Sequence, residues 1–181
     1  MLEIQVAVGQ EYYDEEKEEF VYPKIVTLQL EHSLVSISKW ESTWCKPFIS
    51  KTEKTYEETL DYIKCMTLTK NVDDEVYEYI NQDHVDKIKT YINAPMTATT
   101  FSADNTKKGK SEIITSELID YWMISLGINF ECRKWHLNRL LTLIQVCNIK
   151  NTPPKKRSKR DILNQYEAIN KANREKFKSK G

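Results

Sequence analysis

Leu28-Gln-Leu-Glu-His-Ser-Leu-Val-Ser-Ile-Ser-Lys-Trp-Glu-Ser-Thr-Trp-Cys-Lys-Pro-Phe48 changes its hydrophobic period part-way along. Up to Leu30 apolar residues alternate with polar ones, the period-two signature of a strand. From Leu34 they recur at Leu34, Ile37, Trp40 or Glu41, and Trp44, which is helical spacing. Ser33 sits at the switch, where its hydroxyl can accept from an orphan N–H of the first helical turn. Pro47 ends the helix, because the residue before a proline avoids the helical region. A strand that runs directly into an amphipathic helix with two tryptophans sets an α+β plan.

Upstream, Leu2–Val8 and Phe20–Leu30 read as two strands. The acidic, turn-like stretch Gly9–Glu19 between them makes the pair a β-hairpin. Pro23 cannot donate to a ladder, so it belongs near the start of the second strand or on an edge.

Downstream, Thr55-Tyr-Glu-Glu58 is a capping-box sequence that starts a helix with Leu60, Ile63 and Met66 or Thr67 on its apolar face. Asp73–Tyr79 and His84–Ile92 predict two short helices, each started by an Asn or Asp cap. Met96–Phe101 is β-prone and fits a short strand or an ordered loop. Ala103–Lys110 is polar and contains Gly109, which predicts a mobile loop.

Two longer helices follow, over Glu112–Leu126 and Cys132–Asn148, with Gly127 stopping the first. Their short connection predicts an antiparallel pair packed along its length. Leu118, Trp122, Leu140 and Ile144 would make that pair the centre of stability. Asn151-Thr-Pro-Pro154 breaks the fold, and a further helix with few large apolar groups runs to Ala172. The expected architecture is therefore α+β, mainly α. Residues 1–149 form an N-terminal β-hairpin followed by a compact helical bundle, and residues 150–181 form a basic, partly helical tail.

Composition narrows the function. A charged fraction of 30% and a mean hydropathy of −0.61 describe a water-compatible chain. No run approaches the ~20 apolar residues of a membrane helix, and the alternating N-terminus is not a signal peptide. The net charge of zero hides a polarity. Residues 150–181 carry eleven Lys/Arg against three Asp/Glu, or +8, so residues 1–149 carry −8. Glu11, Asp14, Glu15, Glu16, Glu18 and Glu19 supply much of that, relieved by Lys17.

Cys45, Cys65, Cys132 and Cys147 form no Cys-x-x-Cys pair and read as reduced, mostly buried thiols of a cytosolic protein. Cys132 and His136 are four residues apart, on one face of the predicted helix, but a zinc site needs about four ligands. They read as a core cysteine and a partly exposed histidine, and no metal or cofactor is expected. The acidic pairs at Glu57/Glu58 and Asp73/Asp74 suit helix starts. Only four glycines occur in the chain, with no phosphate-cradling loop or nucleophile elbow, so no catalytic residue is expected and the chain reads as a non-enzyme.

The candidate partner contacts are Trp40, Trp44 and Phe48, together with the basic block Lys155, Lys156, Arg157, Lys159 and Arg160. Tryptophan is favoured at interface hot spots, and a basic block can meet phosphates or acidic protein. Trp122 and Trp135 lie in the apolar helices and are expected in the core rather than as stacking platforms for bases.

Leu30-Glu-His-Ser-Leu-Val-Ser-Ile-Ser-Lys-Trp-Glu41, Pro47-Phe48 and Tyr62-Ile-Lys-Cys-Met66 resemble the tail assembly chaperones of long-tailed, siphovirus-like bacteriophages. So do Glu117-Leu-Ile-Asp-Tyr-Trp-Met123 and Phe130-Glu-Cys-Arg-Lys-Trp-His-Leu-Asn-Arg-Leu-Leu-Thr-Leu-Ile144. The resemblance covers nearly the whole chain, including the Pro-Pro-basic tail. It implies an assembly factor that coats the helical tape measure protein while the tail tube polymerises around it. It also implies contact with tail tube protein, self-association, residence in the host cell cytoplasm and absence from the mature virion. Two alternatives stay open: a structural virion component such as a head–tail or tail-completion protein, and a nucleic-acid-binding regulator acting through residues 155–160.

Overall fold

The computed structural model describes residues 1–50, 52–101, 113–152 and 159–177. The chain divides into two compact units, Met1–Asn148 and Ile149–Gly181. Its class is α+β, mainly α, with the strands at the N-terminus.

Strand β1 (Leu2–Val8) pairs antiparallel with β4 (Lys24–Leu30), in register from Leu2↔Leu30 to Val8↔Lys24. Alternation does the sorting: Ile4, Val6, Leu28 and Leu30 are buried on one face, while Ile25 points to solvent. The predicted second strand is interrupted, because Tyr22 and Pro23 separate β4 from a short β3 (Glu19–Val21). β3 pairs with β2 (Tyr12–Asp14) as a second, two-stranded sheet at the far end of the hairpin. The acidic stretch read as a turn is thus part strand, at Tyr12–Asp14 and Glu19, with the turn confined to residues 15–18. Its actual turn is held by Asp14, which accepts from the backbone N–H groups of Glu16 and Lys17.

Beyond Leu30 the chain stays extended for a few residues and collects further backbone partners. Glu31 N–H donates to Met66 O at 2.9 Å, and Leu137 N–H donates to His32 O at 2.8 Å. Helix α1 (Leu34–Trp44) then starts on Ser33, whose hydroxyl accepts from Ser36 N–H while the Ser36 hydroxyl accepts from Ser33 N–H. The helix stops one turn before Pro47, with Cys45 in the left-handed conformation at φ 51°. Leu34 and Ile37 are fully buried, each contributing roughly 2 kcal/mol.

Helix α2 (Tyr56–Met66) carries the predicted capping box: Thr55 N–H donates to Glu58 Oε2 at 2.8 Å and Glu58 N–H to Thr55 Oγ1 at 3.2 Å. Asp74–Tyr79 is a 3-10 segment whose preceding Asp73 makes no side-chain cap. Asn81 does cap α3 (Gln82–Asn93), accepting from His84 N–H. Residues 96–101 form no strand, and the loop expected at Ala103–Lys110 lies outside the described residues.

Helix α4 (Ser116–Ser125) is capped by Thr115 and ends at Gly127 with φ +64°. Its buried face is Ile119 and Met123, with Trp122 half-buried. The helix predicted over Cys132–Asn148 is broken in two. Phe130–Lys134 is a 3-10 segment, and α5 (Leu137–Asn151) begins only after an extended Trp135. The break follows from the bond between Leu137 N–H and His32 O and the bridge between Ser33 and His136, which a continuous helix would not permit. Consequently α4 and α5 do not pack along their lengths. The central element is α1, which meets α2, α4 and the Phe130–Lys134 segment. Arg133 reaches back to Asp120 of α4 at 2.9 Å. Cys132 and His136 are both buried and do not share a helix, so the histidine is internal rather than partly exposed.

In the second unit, α6 (Lys159–Phe177) continues past the predicted end at Ala172. Its described side chains are exposed, including Leu163, Tyr166, Ile169 and Phe177.

Candidate protein-binding surfaces

Helices α1 and α2 and the loop after α1 bring Trp40, Trp44 and Phe48 together. The two indoles lie 6.2 Å apart in a stacked arrangement, and Phe48 stands edge-on to Trp40 at 5.2 Å. Phe48 also packs on Tyr62 at 4.0 Å. Both indole N–H groups have partners, as buried or half-buried tryptophans require: Trp40 donates to Glu58 O and Trp44 to Asp61 Oδ2, each at 2.9 Å. Trp40 is 2% exposed, so it is an internal packing residue and offers a partner nothing. Trp44 and Phe48 are half-buried and keep an accessible edge.

A cleft of 330 Å³ opens beside this cluster, lined by Trp40, Lys46, Pro47, Lys54 and Glu58 among others. Three of its charged groups, Lys46, Lys54 and Glu58, are committed. Glu58 Oε1 takes Lys46 Nζ at 2.6 Å while Oε2 takes Thr55 N–H. The Lys46 bond first, then the Thr55 backbone bond, hold the Glu58 carboxyl below its ordinary range. Lys54 caps the Phe48 ring at 4.2 Å and donates to Phe48 O at 2.8 Å. Burial lowers the Lys54 ammonium, and Glu58 offsets part of that. Nearby, Glu41 is a buried carboxylate that accepts from Phe48 N–H and from Ser116 N–H, each at 2.8 Å. It ties the end of α1 to the start of α4.

A second polar cluster lies inside the fold and joins residues far apart in sequence. The His32 and His136 rings are 5.1 Å apart; His32 Nδ1 meets the Tyr62 hydroxyl, and His136 Nε2 meets Tyr91 O at 3.1 Å. Tyr91 donates to Glu31 Oε1, whose other oxygen binds the N-terminal ammonium at 2.9 Å. Burial, with a smaller effect of His136, lowers His32 from 6.5 to about 3. Among the described residues no group of three or more His, Cys, Asp or Glu is placed to hold a metal.

The cysteines are free thiols, and only Cys132 is fully buried. Cys45 is exposed at the helix end. Burial pushes the Cys65 thiol up to about 11, with Asp61 adding to the effect, which disfavours the nucleophilic thiolate.

Of the basic block, Lys155, Lys156 and Arg157 lie outside the described residues. Lys159 and Arg160 fall in the first turn of α6, and only their backbone is described.

Among the described residues several large apolar side chains face solvent, Tyr121 and Ile124 of α4 included, and two surfaces gather them next to strong charge. One is the β2–β3 hairpin, where Tyr13 and Phe20 are cross-strand partners with rings 5.1 Å apart and Phe20 lies 6.4 Å from Tyr22. All three are exposed, and none joins the core. The other is the stripe Leu163, Tyr166 and Ile169 on α6, whose apolar members the sequence did display. The hairpin surface was missed, although aromatic residues inside an acidic stretch were its visible sign.

No helix among the described residues is long and apolar enough to cross a membrane. Comparison with models of known protein families, with curated proteins and with solved structures finds no match.

Proposed function

We propose that this protein is a non-catalytic tail assembly chaperone of a long-tailed bacteriophage, binding the tape measure protein while the tail tube assembles in the host cytoplasm. The observation that carries the reading is apolar surface left open to solvent on two separate elements, in a chain whose buried carboxylates and histidines are engaged in structural hydrogen bonds. Exposed aromatic and aliphatic side chains next to charge suit the grip of an amphipathic helix. The sequence resemblance supplies the identity of the helix, the tape measure protein, and adds tail tube protein as a second partner.

Co-expression with the tape measure protein of the same phage tests the reading. The chaperone should hold the tape measure protein soluble and co-purify with it. Purified mature virions should lack the chaperone, and its presence there at high copy would overturn the proposal in favour of a structural component.

A further inference from the structure

The β2–β3 hairpin has an unusual balance for a surface element. Two strands of three residues make a marginal sheet on their own, yet this one displays Tyr13, Phe20 and Tyr22 on a single face. The hairpin segment carries Glu11, Asp14, Glu15, Glu16, Glu18 and Glu19 against Lys17, a charge of −5 over residues 11–19. Asp14 and Glu19 pair one position from Tyr13 and Phe20, on the opposite face, and Glu15, Glu16 and Glu18 crowd the turn beside the rings. Glu18 is held at φ 52° in the turn, and Lys17 is turned back onto Asp14 at 3.3 Å. The turn beside the rings is thus negatively charged, and its own cation is engaged within it. A partner that fits must be apolar along its centre and basic along its flanks.

The same chain contains such an element. On α6, Leu163, Tyr166 and Ile169 follow one another at three-residue spacing, and Phe177 falls on the same side two turns further on. All four are exposed. Arg174 and Lys176 flank the stripe on either side, within a segment whose charge from residue 150 onward is +8.

We propose that the aromatic face of the β2–β3 hairpin binds the basic amphipathic helix of a second copy of this chain. The stripe of one copy covers Tyr13, Phe20 and Tyr22 of the next, and the lysines and arginines meet the acidic rim. Opposite charges on the two surfaces steer the encounter, and the aromatic rings supply the contact area. The interface is heterologous, since different surfaces meet, so a bound pair still offers one free hairpin and one free helix. This inference goes beyond the chaperone reading and does not depend on it: capture of a tape measure protein and association of the chain with itself are separate measurements.

Sedimentation velocity on the full-length chain tests it, with two variants. Tyr13→Ser/Phe20→Ser removes the hairpin face, and Leu163→Ser/Ile169→Ser removes the stripe; all four side chains are solvent-facing, so the fold should persist. The wild-type chain should associate at low ionic strength and dissociate as salt screens the charges. Each variant alone should associate about tenfold more weakly or not at all. Mixing the two variants should restore one contact, between the intact helix of one and the intact hairpin of the other, and give dimers that grow no further. A wild-type chain that stays monomeric at low salt overturns the proposal, whether its surfaces bind another protein or nothing. Undiminished association of either variant, or a mixture that stays monomeric, overturns it equally.

Discussion

Acidification between about pH 7.5 and about pH 5 should destabilise the N-terminal unit progressively, through His32. The ring is 3% exposed, lies 5.1 Å from the His136 ring and shares its surroundings with Tyr62, Ser36, Glu31 and Tyr91. Burial is the larger reason that its folded value falls to about 3, and the His136 charge is the smaller one. The unfolded chain therefore binds a proton that the folded chain refuses, over the whole interval from 6.5 down to about 3. A depressed folded value gives stability that is complete above the unfolded value and is lost as pH falls below it. Each pH unit travelled between the unfolded and folded values is worth about 1.4 kcal/mol, so this histidine removes roughly 2 kcal/mol on reaching about pH 5. His136 is displaced the same way, again chiefly by burial, and adds to the slope. Glu58 acts only at lower pH, since its carboxyl is held down and its contribution is lost below the ordinary carboxylate range.

Urea unfolding followed by indole fluorescence reads this directly, because Trp40 is buried. With a urea slope of about 2 kcal/mol per molar, the midpoint should drop by about 1 M across the interval, and His32→Gln should flatten the dependence whatever its own effect on stability. A midpoint independent of pH in the native protein would refute the buried neutral histidine, as would an undiminished slope in the variant.

Glu41→Gln keeps the shape of the side chain but removes the charge that accepts from two backbone N–H groups; a loss of about 1–3 kcal/mol is expected by denaturant titration. Trp40→Ala should cost about 3–5 kcal/mol, whereas Trp44→Phe, which surrenders the bond to Asp61 and little packing, should cost about 1 kcal/mol; equal losses would contradict the burial assignment. Asn138 donates to both Ile92 O and Ala94 O, so Asn138→Asp sets a carboxylate against two carbonyl oxygens and should cost about 2 kcal/mol or more, readable as a lowered thermal midpoint. Gly127→Ala meets open space but keeps a positive φ, so its cost should be the conformational one of about 1–2 kcal/mol, and a neutral result would mean the α4 end had rearranged.

What the sequence made legible is local. Ser33 and Thr55 announce their helices because a cap and its partner lie within four residues: the Ser33 cap and the Thr55–Glu58 box are present as read, and Ser36 completes a second box that was not read. β1 and β4 follow from alternation, which also sets the register that buries Leu28 and Leu30. The break at Trp135 was not legible, since nothing near it opposes a helix. Its cause is the carbonyl of His32, far away in the chain, which claims Leu137 N–H and forces the backbone to extend at Trp135. Local propensity yields there to a tertiary bond, and the expected antiparallel α4–α5 pair is lost with it.

The same division decides which candidate surface residues mattered. Trp40 and Trp44 share a spacing and a helix, so sequence alone treats them alike. Their environments differ because α2 meets them at different depths: the carbonyl of Glu58 meets Trp40 deep in the fold, while Asp61, one turn along, meets Trp44 at its margin. The hairpin aromatics present the reverse case. Tyr13 and Phe20 belong to a stretch whose acidic residues suggest a solvated turn, and only their cross-strand pairing gathers the rings on one face. Charge clustering marked the segment only as a turn, and its aromatic face was missed. The carboxylates keep that segment in water, while the rings they surround supply the area that a partner can cover.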